Sequence, residues 1–276
     1  MSALSDQRIE ELREVAKKVR RTVLRALHQA GSGHPGGSFS ETELLVVLYF
    51  EKLKHAPQEP EWDGRDMVFL SKGHAAPGWY AVMAEAGYFD PEEVVQTLRK
   101  PDSKFQGHPS NEHCPGVDIS SGSLGQGLSV ANGVALAAKL DGIPRRAYCV
   151  IGDGESQEGQ VWEAAMSAAH FKLDNVCAIF DWNKIQLDSF TEDVKSMGNL
   201  KGKWESFGWH TVEIDGHDIK QCSDAFDEAM ATKGKPTVII AHTVKGKGIS
   251  FMENDAKWHG LAPNNEELEL ALKELA

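Results

Sequence analysis

The stretch AYCVIGDGESQEGQVWEAAMSAAHFKLDNVCAIFDWN, residues 147–183, decides the fold. It begins with a short apolar β run, AYCVI, continues with the helical pattern QVWEAAMSAAHF, and ends with a second β run, NVCAIFD. Two more β runs follow, WHTVEIDG and PTVIIAHTV, separated by the helical pattern DAFDEAMATK. Apolar strands that alternate with helices are typical of a parallel sheet covered on both faces. The sequence therefore predicts an α/β fold with a doubly wound, mostly parallel sheet and helices on both faces.

The residues before this stretch are predicted to add helices and one strand. Residues 6–30 have helical periodicity, and SFSE, residues 38–41, has the pattern of a capping box that would start the helix TELLVVLYFEKL. DMVFLSKGH is predicted as a strand that enters a loop, and two helical patterns are predicted to end at Gly87 and Gly142. Because no repeat or linker divides the chain, residues 1–276 are predicted to form a single domain.

The composition excludes several classes of function. Of the 276 residues, 41% are hydrophobic and 25% are charged, as in an ordinary soluble protein. No apolar run approaches the roughly 20 residues that span a bilayer, and the N-terminus has no secretory pattern, so we expect a cytoplasmic protein without membrane contact. The net charge of −12 argues against nucleic acid as a partner.

Two smaller groups of residues have simple structural interpretations. The basic residues 17, 18, 20 and 21 alternate with acids along the first helix and are predicted to lie on a solvated face. The chain has four cysteines without a C-x-x-C pair, which fits a reducing compartment, and Cys149 and Cys177 within the β runs are predicted to be buried.

Polar residues follow both β runs of the opening stretch. Asp153 comes directly after the first run, and Asn183 and Ile185 come after the second. Because ligands of open α/β sheets bind beyond the carboxyl ends of the strands, we expect these residues to lie together. The two side chains and the carbonyl of Ile185 would offer oxygen ligands to Mg²⁺. An Asp-Gly turn and an asparagine that caps its own backbone remain the simpler alternatives.

Four histidines lie in glycine- or proline-flanked loops and strengthen the interpretation as a binding site: His34, His74, His108 and His259. A single histidine of this kind is usually a surface residue, but four of them suggest a site built from neutral or switchable hydrogen-bond donors. Imidazoles beside an anionic ligand can bind phosphate and transfer protons at neutral pH. Lys245 and Lys247, in the glycine loop TVKGKGISF after the last β run, are predicted to add to this site, with a solvated turn as the simpler alternative.

Several sequence motifs together resemble the N-terminal third of transketolases. GDG followed thirty positions later by Asn is similar to the thiamine diphosphate signature, and GSGHPGGSFS, FLSKGHAAPGWYA, GHPSNEHCPGVDISSGSLGQG and DWNKIQLD resemble transketolase segments in matching order. The resemblance covers about residues 26–259 and implies the diphosphate-binding domain of a thiamine diphosphate-binding fold. The C-terminal part of the chain resembles that of the split-chain members of the family.

The resemblance implies a role for each matching residue. Asp153, Asn183 and the carbonyl of Ile185 would hold Mg²⁺, or alternatively Ca²⁺, against the diphosphate. The cofactor would contact His74, Gly122, Ser123, Leu124, Gly154, Asn183 and His259. His34 and His259 would serve proton transfer at the substrate hydroxyls, and His108 would hold the ketol end. Glu158 would lie at a subunit interface. Glu155 is left without a role, and an exposed acid in the first turn of a helix is its simplest interpretation.

The resemblance also implies a partner, because the pyrimidine-binding and C-terminal domains of the family have no counterpart in these 276 residues. We therefore expect the N-terminal subunit of a two-component transketolase, paired in an α2β2 heterotetramer with a separate C-terminal subunit. It would transfer a two-carbon ketol unit between sugar phosphates, as in the pentose phosphate pathway. The α subunit of a 2-oxoacid dehydrogenase and a non-catalytic cofactor-binding protein remain alternatives.

Overall fold

A parallel sheet forms the centre of the molecule in the computed structural model, which describes residues 4–187 and 189–276. The strands are β1 (Met67–Leu70), β2 (Ala147–Gly152), β3 (Val176–Trp182), β4 (Ile185–Gln186), β5 (Ser189–Phe190), β6 (His210–Asp215) and β7 (Thr237–His242). Five of them form one sheet in the order β1-β2-β3-β7-β6, and every neighbouring pair is parallel. β4 and β5 form a separate antiparallel hairpin, which the sequence did not predict.

Helices surround this sheet. They are α1 (Asp6–Ala30), α2 (Pro35–Ser40), α3 (Thr42–Val47), α4 (Ala76–Glu85), α5 (Pro91–Thr97), α6 (Gly127–Leu140), α7 (Gly159–His170), α8 (Thr191–Lys195), α9 (Leu200–Ser206), α10 (Ile219–Ala231) and α11 (Asn265–Glu274). α3 continues into a π-helical turn, Leu48–Lys52. None of the helices among residues 4–187 and 189–276 is long and apolar enough to cross a membrane.

The sheet separates two hydrophobic cores, as expected for a doubly wound fold. Successive side chains of a strand point to opposite faces. Val68 and Val150 therefore pack in one core with residues of α1, α3, α4 and α10, whereas Phe69 and Cys149 pack in the other with residues of α6, α7 and α9. These four strand residues are at most 3% exposed. The predicted α/β fold with helices on both faces is confirmed, as is the burial of Cys149 and Cys177.

The chain reverses its winding direction between β3 and β7. The crossover helix α7 connects β2 to β3 and packs in the core with α6 and α9, whereas α10 connects β6 to β7 and packs on the opposite face. Such a reversal opens a crevice at the carboxyl edge of a sheet, where ligands of α/β proteins bind. The loops after β2, β3 and β7 therefore meet at one place.

The predicted capping box at residues 38–41 is wrong. A separate short helix, α2, begins at Pro35, whose ring presets the backbone for a first helical position, and α3 begins at Thr42 without a side-chain cap. Ser38 lies inside α2, and its hydroxyl donates to the carbonyls of His34 and Ala75. Other local signals hold: Gly87 and Gly142 end α4 and α6 with left-handed backbone, at φ values of 95° and 68°. The short helices α5, α8 and α9 were not predicted.

The basic residues of α1 do not all lie on a solvated face. Arg20 is only 4% exposed and forms a two-pronged ion pair with Glu43 of α3, at 2.6 and 2.8 Å. Its guanidinium also donates to the carbonyl of Phe39. Charge spacing along one helix cannot reveal such a partner, because the carboxylate belongs to another helix that packs against it.

Candidate functional site

A cavity of about 400 Å³ lies at the carboxyl edge of the sheet, and most of the predicted site residues line it. Its walls come from the loops after β1, β2, β3 and β7, together with the segments around His34, His108 and His259. The predicted residues that line it are His34, His74, His108, Gly122, Leu124, Asp153, Gly154, Asn183, Ile185 and His259. Ser123 is exposed and does not line the cavity, although its two neighbours do.

Asp153 presents an unused carboxylate oxygen to this cavity. The residue is 3% exposed, its Oδ1 accepts from the Gly154 amide at 2.8 Å, and its buried Oδ2 has no hydrogen-bond partner. Burial raises the pKa of Asp153, and the nearby Asp181 raises it further. A buried acceptor without a partner costs free energy unless a ligand satisfies it. A divalent cation would satisfy Oδ2 and favour the ionised carboxylate.

Hydrogen bonds fix the side-chain amide of Asn183, and its carbonyl oxygen accepts only one of them. Its amide nitrogen donates to Ser40 Oγ at 3.2 Å and to Asp181 Oδ2 at 3.3 Å, and its Oδ1 accepts from the Ile185 amide at 3.1 Å. Together with the Ile185 carbonyl and Asp153, it offers the mixed oxygen set that Mg²⁺ uses. The described residues contain no group of three or more His, Cys, Asp and Glu side chains able to hold a metal ion.

A buried charge cluster lies beneath Asn183. Asp181 accepts hydrogen bonds from Lys72 at 2.5 Å, from Ser40 at 2.5 Å, and from Thr243. Burial opposes ionisation of Asp181, but the charge of Lys72 and these hydrogen bonds lower its pKa. Lys72 also lies 2.8 Å from Glu41 Oε2 without hydrogen-bond geometry, and burial raises the pKa of Glu41 to about 8. The cluster orients Asn183 through Asp181.

Lys245 lines the cavity, so it joins the site and the alternative of a solvated turn does not hold for this residue. It is 2% exposed, and its Nζ donates to the Ile185 carbonyl at 3.1 Å and to His259 Nδ1 at 2.8 Å. Burial lowers its pKa, which Asp153 partly opposes. Lys247, in contrast, is half-exposed and pairs with Glu253 at 3.4 Å. A cationic amine beside Asp153 suits an anionic ligand.

The four histidines form a cluster of neutral imidazoles. The ring centroid of His34 lies 5.2 Å from that of His74, 5.3 Å from that of His259 and 6.5 Å from that of His108. Burial lowers the pKa of all four, to about 4 for His34 and about 3 for His259, and neighbouring cations lower each pKa further. Arg99 is the cation next to His34 and His108. His74 and His259 lie in short 3₁₀ turns instead of open loops.

Because Lys245 donates to Nδ1 of His259, the proton of this neutral ring lies on Nε2. His34 Nδ1 is buried without a partner. A neutral imidazole offers one donor and one acceptor, so it can pass a proton between ligand hydroxyls without a net change of charge. The cluster can therefore hold polar groups of a ligand and move protons at neutral pH.

Glu155, to which the sequence assigned no role, is buried, so the simple interpretation as an exposed first-turn acid does not hold. It is 3% exposed and accepts from the Gly125 amide at 2.8 Å, from the Gly152 amide at 2.9 Å, and from the Ser71 hydroxyl. Glu158, three residues further, is exposed and lines the mouth of the cavity. Sequence spacing could not separate the two acids, because a 3₁₀ turn, Glu155–Gln157, turns Glu155 inward and ends before Glu158, which directly precedes α7.

Glycine allows close approach of the backbone at Gly154. A Cβ there would lie 2.7 Å from the Cβ of Gln186, in the hairpin that follows Asn183. The same hairpin region includes Lys184 and Leu187 with left-handed backbone, at φ values of 66° and 42°. Non-glycine residues in this conformation are strained and tend to cluster at ligand sites.

Sequence comparison places these residues in a known family. Residues 12–276 match the family model "Transketolase, thiamine diphosphate binding domain". The chain is 42% identical over 272 residues to a 6-deoxy-6-sulfo-D-fructose transketolase subunit, SqwG, of Clostridium sp. (strain MSTE9), covering 99% of this chain and 98% of that protein. It is 46% identical over 268 residues to an apulose-4-phosphate transketolase subunit of Actinobacillus succinogenes, covering 96% of each.

Solved structures give the same result for the fold. Transketolase from Leishmania mexicana superposes with a TM-score of 0.90 at 30% identity, covering 96% of this chain and 41% of that one. Transketolase from Campylobacter jejuni superposes with a TM-score of 0.91 at 34% identity, covering 97% and 43%. The chain thus spans about two-fifths of the length of these transketolases.

Proposed function

Because the chain belongs to the transketolase family, of which it carries the thiamine diphosphate binding domain, we propose that it is the N-terminal subunit of a two-component transketolase. This subunit transfers a two-carbon ketol unit from a ketose phosphate to an aldose phosphate, together with a separate C-terminal subunit. The observation that carries the proposal is the single cavity in which Asp153, Asn183 and Lys245 face four neutral histidines.

In this proposal, the acidic and amide groups hold the metal–diphosphate end of the cofactor. Asp153, Asn183 and the carbonyl of Ile185 bind Mg²⁺, with Ca²⁺ as the alternative. The argument rests on the unpartnered Oδ2 of Asp153 and the fixed amide of Asn183. Lys245 and His74 lie where they can neutralise diphosphate oxygens. Thiamine diphosphate, when bound, supplies the carbanion chemistry that breaks and forms carbon–carbon bonds.

The histidines act on the substrate. His34 and His259 accept and return protons at the substrate hydroxyls, and His108, at the cavity mouth, holds the ketol end. Their lowered pKa values keep the imidazoles neutral near pH 7, so each ring offers one hydrogen-bond donor and one acceptor to the substrate hydroxyls.

The partner and the substrate are the finer parts of the proposal. Relatives of nearly the same length are named as transketolase subunits, which supports a partner subunit. The proposal extends this to a separate C-terminal subunit, in an α2β2 heterotetramer in the cytoplasm. Their names specify 6-deoxy-6-sulfo-D-fructose and apulose 4-phosphate, so we propose a substrate range that includes such sugars beside those of the pentose phosphate pathway.

The metal site is tested by titration calorimetry of the chain with Mg²⁺ and thiamine diphosphate. We expect Asp153→Ala to abolish metal-dependent binding, whereas Asp141→Ala, at the exposed C-terminal end of α6, leaves it unchanged. Undiminished binding by Asp153→Ala would refute the site assignment.

The reaction is tested with a tagged chain recovered from its native lysate in the presence of both ligands. The recovered material and the chain alone are assayed for ketol transfer from xylulose 5-phosphate, and then from the two sugars named above. Transfer only in the presence of a second polypeptide supports the proposal. Recovery of a lipoyl-bearing protein would instead support the 2-oxoacid dehydrogenase alternative.

A further inference from the structure

The carboxylate of Glu155 connects three segments that line or support the cavity. Its Oε2 accepts from the Gly152 amide at 2.9 Å, directly before Asp153, and its Oε1 accepts from the Gly125 amide at 2.8 Å, directly after Leu124. The Ser71 hydroxyl, at the end of β1, donates to the same Oε1. The proposed function assigns no role to Glu155 or Ser71.

Ser71 extends this connection to the first turn of α6. Its Oγ accepts from the Gly127 amide at 3.0 Å while it donates to Glu155. One hydroxyl and one carboxylate thus satisfy the amides of Gly125, Gly127 and Gly152, which are all buried or at a helix start. Burial raises the pKa of Glu155, and the hydrogen bonds from Ser71, Gly125 and Gly152 oppose this effect.

The loop is also packed against these groups with no room for side chains. A Cβ at Gly127 would lie 2.5 Å from Ser71 Cβ, and a Cβ at Gly73 would lie 2.6 Å from Ser121 Oγ. A Cβ at Gly125 would lie 2.9 Å from Glu158 Cβ. The space at these glycines is too small for a Cβ, so the segment 121–127 lies directly against the ends of β1 and β2. The hydrogen bonds between them therefore have little freedom to shift.

We propose that Glu155 and Ser71 are positioning residues. They hold the Gly122–Leu124 loop at a fixed position relative to Asp153, at the end of β2. This inference rests on the proposed function, in which the loop contacts the rings of the cofactor and the Asp153 end holds its diphosphate. The Glu155–Ser71 pair then determines the distance between the two parts of the site that bind the two ends of the cofactor. Loss of the pair displaces the loop while the diphosphate end stays in place.

Two ligands test these two parts of the site separately. Inorganic pyrophosphate with Mg²⁺ reports on the diphosphate end alone, and thiamine diphosphate with Mg²⁺ reports on both ends. Ser71→Ala removes the hydrogen bonds to Gly127 and Glu155 but leaves the bond from the Gly152 amide to Glu155, beside Asp153, in place. We expect it to raise the Kd of thiamine diphosphate roughly tenfold, as for the loss of a buried hydrogen-bond pair. The Kd of pyrophosphate should stay within about twofold, whereas the melting temperature should fall because buried hydrogen bonds are lost.

Two further variants sharpen the test. Glu155→Gln keeps the shape of the side chain but places an amide N–H₂ against backbone donors, so it should show the same selective loss or a larger one. Glu163→Gln, which removes an exposed carboxylate from α7, is the matched control and should leave both affinities unchanged. Amide exchange of residues 121–127, measured by mass spectrometry without ligand, should become faster in Ser71→Ala and Glu155→Gln only.

Equal weakening of both ligands with a lowered melting temperature would overturn the positioning role, because the pair would then only stabilise the fold. Unchanged affinity for both ligands would overturn it as well. A wild-type chain that binds neither ligand would refute the proposed function itself. In that case unchanged exchange of residues 121–127 in both variants would separately overturn the Glu155–Ser71 connection.

Discussion

Replacement of Glu43 by glutamine should destabilise the protein strongly, and the cost should depend on pH. Glu43 accepts from Arg20 at 2.6 and 2.8 Å and lies 2.8 Å from His217 Nδ1, and the side chains of Arg20 and Glu43 are 5% and 10% exposed. His217 in turn accepts from the Val244 amide at 2.8 Å, one residue before Lys245. The pair therefore supports a wall of the cavity as well as the packing of α1 on α3.

The expected magnitude follows from the ionisation of Glu43. Burial alone would raise its pKa, but the charge of Arg20 and the hydrogen bonds from His217 and Arg20 lower it from 4.5 to about 2. Because the folded state holds the proton less tightly than the unfolded chain, the ionised carboxylate stabilises the fold above pH 4.5. A shift of this size corresponds to about 3 kcal/mol at pH 7. Removal of one partner from a buried ion pair costs a similar amount, roughly 3–5 kcal/mol.

The assay is urea denaturation of the wild type, Glu43→Gln and the surface control Glu11→Gln at pH 7 and pH 4. We expect Glu43→Gln to lower the free energy of unfolding by about 3 kcal/mol at pH 7, and by about 1 kcal/mol less at pH 4. Glu11 pairs with Arg8 while 48% exposed, so Glu11→Gln should leave the free energy of unfolding nearly unchanged. A loss below about 1 kcal/mol at pH 7, or a loss that grows toward pH 4, would refute this reasoning.

Three further predictions concern the cavity and its support. Lys245→Met should weaken pyrophosphate binding in the presence of Mg²⁺ by about tenfold or more, measured by calorimetry, because it removes the buried cation beside Asp153; unchanged affinity would contradict this. Gly154→Ala should weaken binding of the same ligand, because its Cβ would lie 2.7 Å from Gln186 Cβ, and the added change Gln186→Gly should restore it; absence of rescue would contradict the steric cause. Trp204→Ala should lower the free energy of unfolding by about 3–5 kcal/mol in urea titrations, because this fully buried ring packs from α9 into the core. A loss below about 1 kcal/mol would contradict that estimate.

The sheet and the outline of the site could be predicted from the sequence, because both depend on short-range patterns. The apolar runs that became β2, β3 and β7 are continuous, since parallel strands are buried on both faces. Asp153 and Asn183 directly follow two of these runs, so the rule that ligands bind at the carboxyl ends of strands was enough to bring them together. The histidine loops matched family motifs and line the same cavity.

The roles of Glu155, Lys245 and Arg20 were decided only by tertiary structure. From the sequence, Arg20 was predicted to lie on a solvated face, Glu155 was left without a role, and Lys245 had a solvated turn as its simpler alternative. Each is at most 4% exposed. Their partners are far away in the chain: Glu155 meets Ser71, Lys245 meets Ile185, and Arg20 meets Glu43. A charged side chain is buried when distant groups compensate the loss of hydration, and no local pattern encodes which groups those are. Apolar periodicity determined the sheet, whereas the pairing of buried charges depended on how the loops and helices packed around it.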